Sequence, residues 1–108
     1  MDKLLFEELN RFRQLNEITS AVPTDISGKD VNKQVLRMAI ISELDAVSLY
    51  EQMASKATDP QVKKLMLDVA KEEKTHVGEF EAMLLKLDGE QKTELKAGEK
   101  EANKLLGK

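Results

Sequence analysis

His76 is the only histidine among the 108 residues, and it stands three positions after Glu73 in the stretch KEEKTHVGEF, residues 71–80. At that spacing a helix presents both side chains on one face, so a carboxylate and an imidazole can meet a single metal ion. A second carboxylate, Glu43, lies thirty residues before Glu73 on another segment of helical apolar spacing. Ionised side chains are almost never buried unless they are paired or hold a metal. Three such groups on apolar stripes therefore need a cause, and coordination of a cation is one that uses the carboxylates ionised and the imidazole neutral.

The elements that must position these groups follow from the apolar periodicity. From about Val31 to Ala57 there is no proline or glycine, and Leu36, Ile40, Glu43, Val47, Tyr50, Ala54 and Ala57 alternate steps of four and three. That is a heptad seam on a long helix. ATDP follows, in which Thr58 or Asp59 can cap a new helix and Pro60 fits its first turn. The second helix carries Val62, Met66, Val69, Glu73, His76, Phe80, Met83 and Leu87 on its seam and is expected to stop at Gly89. A tight turn between the two makes an antiparallel hairpin.

Measured outward from that turn at 1.5 Å per residue, Glu43, Glu73 and His76 all lie about 22 to 26 Å away, at one level of the hairpin. Two carboxylates and one imidazole are half of a di-metal carboxylate site, in which two helices each give a Glu and two others each give a Glu-x-x-His pair. A two-fold homodimer completes a four-helix bundle and the site together. Four glutamates then balance two divalent cations. The donor set suits iron better than zinc, whose usual ligands are nitrogen and sulfur. Two other readings stand beside this one: a metal-free dimerisation module in which the same groups form a buried polar network fixing register, and a rubrerythrin-like peroxidase. Tyr50, two turns beyond Glu43, reads equally as core packing and as a supporting or electron-donating group. Glu72, Asp45 and Glu79 flank the seams and read as solvated faces.

The rest of the chain is quieter. Residues 3–18 place Leu5, Leu9, Phe12 and Leu15 on one stripe of a short amphipathic helix, and residues 20–30, SAVPTDISGKD, read as a linker. The expected organisation is an arm and linker over 1–30 and a helical hairpin with a C-terminal helix over 31–108. That last helix, residues 90–107, is highly charged, contains Gly98 and reads as peripheral. Charged residues make up 34% and hydrophobic ones 41%, with only three Phe and one Tyr, which favours an all-α fold over a sandwich or barrel. Seventeen basic residues are interspersed with twenty acidic ones, for a net charge of -3, so nothing points to nucleic acid. The absence of cysteine excludes disulfides and thiolate metal sites. No apolar run approaches the roughly 20 residues that span a bilayer.

LRMAIISELDAVSLYEQMA followed by VKKLMLDVAKEEKTHVGEFEAML resembles the encapsulated ferritins, half-length ferritin-like proteins, and is especially similar to the ferritin-like segment of archaeal encapsulins. The resemblance covers about residues 35–106 and leaves residues 1–30 outside. It implies a ferroxidase: two iron(II) ions bind between two chains and are oxidised by dioxygen or peroxide, and iron(III) passes on for mineralisation in an encapsulin compartment of the cytoplasm. Glu43, Glu73 and His76 match the family's iron ligands, and Tyr50 a tyrosine beside the di-iron centre. Family members form rings of dimers, commonly decamers. This sequence departs from the pattern in carrying no recognisable shell domain or targeting peptide, in its N-terminal arm, and in having Ser42 and Asp45 where some relatives carry glutamates of an outer entry site.

Overall fold

In the computed structural model the described residues are 29–107 together with Lys3, Glu7, Asn10 and Arg11. The three helices over 29–107 are α1 (Lys29–Lys56), α2 (Pro60–Leu87) and α3 (Gly89–Leu105), with no strand among the described residues. The all-α, antiparallel hairpin expected from the seams is what forms, with α1 and α2 packed along their length. Helix α1 begins at Lys29, so Lys29 and Asp30 belong to the helix and not to the linker. The arm helix expected over residues 3–18 and the rest of the linker fall largely outside the described residues. Lys3, Glu7, Asn10 and Arg11 are themselves helical.

The hairpin turn is built by local chemistry. Asp59 adopts an extended backbone, and its Oδ1 accepts from the Gln61 amide at 2.8 Å, while Pro60 occupies the first turn of α2, where no amide donor is missed. Asp59, and not Thr58, is the cap. Ala57, Thr58 and Asp59 thus separate two 28-residue helices of equal length, and equal arms put residues of matching count from the turn at matching height. Ala46 and Ala70, both buried, are equidistant from Thr58, the middle residue of the turn.

The second junction differs from the expectation at Gly89. That glycine is not a left-handed residue past the end of α2; it is the first residue of α3. Asp88 alone makes the junction. Its backbone amide donates to the Leu84 carbonyl to close α2, and its Oδ1 accepts from the Gln91 amide at 3.0 Å to open α3. Arg37 on α1 donates from Nη2 to the other oxygen, Oδ2, at 2.8 Å. A single side chain able to serve both helix ends removes the need for positive φ. Helix α3 then runs unbroken through Gly98 and is exposed over most of its length.

Among the described residues the core is small: Ala46, Val47, Leu49, Ala54, Ala70 and Leu84 are the buried apolar ones, and three of these are large. At about 1.5 to 3 kcal/mol per large side chain, that is slight support for three helices. Meanwhile Val35, Ile41, Leu44, Val62, Leu65, Leu67, Met83 and Leu95 remain exposed. Val62 and Met83, expected on the buried seam of α2, are 45% and 47% exposed. The seam is therefore not consumed by the hairpin's own packing.

Candidate metal centre

Glu43 projects from the middle of α1, and Glu73 and His76 from the middle of α2. The antiparallel register brings them together as their common height requires. One ligand atom from each lies within 4.8 Å of the others, and all three residues are half-buried. The His76 Nδ1 is 3.6 Å from Glu43 Oε2 and 3.6 Å from Glu73 Oε2. Burial is uneven, since the His76 side chain is 42% exposed against 21% for Glu43 and 17% for Glu73. The seam that reads as buried in sequence is thus only partly covered within one chain.

These distances discriminate between uses. Hydrogen bonds between nitrogen and oxygen lie at about 2.7–3.2 Å, so at 3.6 Å the imidazole is not bonded to either carboxylate. Metal–ligand bonds of about 2.0–2.2 Å to nitrogen and oxygen place neighbouring ligand atoms roughly 3 to 3.6 Å apart. The imidazole nitrogen lies at a separation from each carboxylate that suits a shared ion and is too wide for a hydrogen bond, and the three ligand atoms converge within 4.8 Å. Glu43 Oε2 is buried and has no hydrogen-bond partner, a condition that costs free energy until something fills it. Two hard oxygen donors and one imidazole are a donor set that fits iron.

Tyr50 is half-buried two turns beyond Glu43 on α1. Glu72 and Glu79 are exposed on α2, as their reading as solvated faces requires. Asp45 departs from that reading: its side chain is 1% exposed, and Arg11 Nη2 lies 2.9 Å from its Oδ1. The signal that could have found it is its position beside Ala46 and Leu49, small and apolar residues that mark a covered face of α1.

Residues 34–106 match the rubrerythrin family. Over 79 residues the chain is 58% identical to a ferritin-like–encapsulin shell fusion protein of Pyrococcus furiosus, a match that takes in 73% of this chain and 23% of that protein. The chain therefore spans about a quarter of that relative's length. It is also similar to the crystal structure of an encapsulated ferritin domain from Pyrococcus furiosus, with a TM-score of 0.74 and 53% identity over 80% of this chain and 88% of the other.

Proposed function

The chain belongs to the rubrerythrin family as a half-length, ferritin-like protein of the encapsulated ferritin kind, and from that premise we propose that it is a ferroxidase whose di-iron centre is completed between two copies. The observation that carries the reading is the convergence of Glu43, Glu73 and His76 within 4.8 Å on a seam that the single chain leaves half-covered. Three protein donors are too few to hold two irons, and a second copy related by a two-fold axis supplies three more. The same step covers the exposed seam residues. Four carboxylates then neutralise two divalent ions, so the charge that each copy half-buries is balanced in the pair.

Iron(II) is the substrate here, and each ion gives up one electron to dioxygen or peroxide. The protein's part is binding and orientation. His76 turns Nδ1 toward both carboxylates, so ligation at that atom places the ring proton on Nε2. Glu43 Oε2 and Glu73 Oε2 meet the ion from different helices and fix its height in the bundle. Tyr50 stands beside the reaction and not among the ligands, so Tyr50→Phe leaves iron uptake intact. Support against a metal-free polar network comes from the 3.6 Å separations, because a network that fixes register needs its members hydrogen-bonded. Peroxide stands beside dioxygen as oxidant in this reading, although these 108 residues contain no cysteine and hence no thiolate-bound iron to feed electrons back.

We place the protein in the cytoplasm as a ring of dimers, a decamer, held as cargo in an encapsulin shell; the relative whose name joins a ferritin-like part to an encapsulin shell supports that partner. No helix among the described residues is long and apolar enough to cross a membrane. Anaerobic iron(II) titration followed by oxygen tests the centre. Two irons per dimer, one per chain, and oxidation on admitting oxygen are expected. A stable di-iron site within a monomer would sink the half-site reading.

A further inference from the structure

Within α3 every residue after Gln91 except Ala97 is exposed. A lone helix of 17 residues is marginal in water, and this one carries Gly98 in its interior, where glycine is among the poorest helix formers. Nothing in the single chain calls for that glycine: its φ is not positive, and a Cβ there would meet no atom within 4 Å. A residue without a side chain on an open helix face suits close approach by another chain. Gly98 stands with Ala97 between Glu94 and Glu101. These four are positions i, i+3, i+4 and i+7, which frame the hole that receives a side chain of a facing helix. Here the floor of the hole is small and its two ends are acidic.

The matching knob is on α2. Leu67 is 48% exposed and lines a groove with Lys64, Asp68 and Lys71. Lys64 comes three residues before Leu67 and Lys71 four after it, so the two lysines lie about 10.5 Å apart along the helix, as do Glu94 and Glu101. One register therefore seats Leu67 in the hole and sets both lysines against both glutamates. All four charged groups are exposed, and among the described residues none of them has an ion-pair partner. Exposed Lys63 adds to the positive charge of this face and Asp68 subtracts from it. Counted at about 100° per residue round α2, Lys64, Leu67 and Lys71 lie about 120° to 180° from Glu73. They are on the far side of the helix from the metal centre and stay open when two copies share it.

We propose that α3 links one dimer to the next: the hole at Glu94, Ala97, Gly98 and Glu101 of one chain receives Leu67 of a second copy, flanked by ion pairs to Lys64 and Lys71. The two surfaces differ, so the contact runs from donor to acceptor, and a two-fold dimer carries two of each. Each dimer can then join two neighbours, and closing the series into a ring leaves no face unpaired. The inference deepens the ring of dimers proposed above and rests on that reading. Link and metal centre use separate surfaces, so each can be broken without the other.

Sedimentation velocity of the full-length protein, with native mass spectrometry for the masses, compares the parent with Lys64→Glu plus Lys71→Glu, with Glu94→Lys plus Glu101→Lys, and with the chain carrying all four changes. The parent should assemble beyond the dimer. Either charge-reversed protein should need at least tenfold higher concentration to pass from dimer to larger assembly, while still taking up one iron(II) per chain. The fourfold variant should regain the parent's assembly, because it restores the pairs with their signs exchanged. Gly98→Leu fills the hole with a better helix former; its α3 should be no less helical by circular dichroism, yet its assembly should stop at the dimer. Charge-reversed or Gly98→Leu proteins that assemble as the parent does, or a fourfold variant that stays dimeric, would overturn the link. Reversed proteins that fall to monomers would overturn it as well, since the face would then belong to the metal-sharing dimer. A parent that stops at dimers with one iron(II) per chain ends the link and leaves the shared centre standing; a parent that is monomeric at every attainable concentration ends both.

Discussion

Replacing Glu43 by leucine separates what this carboxylate costs the fold from what it does for iron. Its Oε2 is buried without a hydrogen-bond partner, and removing an unsatisfied buried acceptor in favour of an apolar group of similar size is stabilising. The metal-free Glu43→Leu protein should therefore be more stable than the parent by about 1 kcal/mol, and melt at a higher temperature, while losing rapid iron(II) oxidation. His76→Ala should lose oxidation without that gain, since the ring is 42% exposed. Thermal unfolding by circular dichroism and stopped-flow oxidation assays read the two effects; a Glu43→Leu protein that melts lower would show the carboxylate to be satisfied within the fold. The trio was legible from sequence because heptad spacing fixes face and distance from the turn fixes height, and both survive into three dimensions. The burial of Asp45 is signalled by its neighbours Ala46 and Leu49, but its pairing is not, because Arg11 lies 34 positions away on a segment whose placement no helical periodicity in α1 can specify.

Among the elements, the two junctions show why helix existence is easier to read than helix ends. Asp59 and Pro60 act through neighbours one or two residues away, so ATDP gives the first turn directly. Asp88 is a different case, since one residue closes α2 through its amide and opens α3 through its Oδ1, and its free oxygen is then held by Arg37, 51 positions away across the hairpin. A reading of Gly89 as a stop signal could not anticipate that. The accepted bond from the Gln91 amide, then the Arg37 guanidinium, hold the Asp88 carboxyl below its ordinary value of 3.8, with partial burial opposing them. A depressed native value means that the carboxylate's contribution is complete above the ordinary value and disappears as pH falls through the native one. Acidification below about pH 4 should thus loosen the α2–α3 junction, and Asp88→Asn should remove that part of the acid response. Hydrogen exchange of the α3 amides, followed from neutral pH into acid, checks this; an α3 equally protected throughout, in both proteins, would mean that the cap does not hold the junction.

At the scale of the whole molecule, the deciding fact is the mismatch between a small core and a large exposed apolar surface. Three large buried side chains sit within a hairpin that leaves Val35, Leu44, Val62, Leu65 and Met83 open, which is how a part of a larger assembly looks. The proposed pairing through these faces would bring oxidation sites together, but retention of mineral is a separate requirement, because it needs an enclosed volume from which iron(III) cannot escape. Two paired hairpins fill their interior with side chains and enclose none. The relative whose name joins a ferritin-like part to an encapsulin shell is matched over 23% of its length, so most of that relative has no counterpart in the matched stretch. The 108-residue chain on its own should therefore oxidise added iron(II) and release it as precipitate, whereas the same chain co-expressed with an encapsulin shell should keep iron soluble inside particles that contain both proteins. Gel filtration with iron analysis of each fraction distinguishes the two, and hundreds of soluble irons per oligomer of the chain alone would mean that its own assembly closes into a cage.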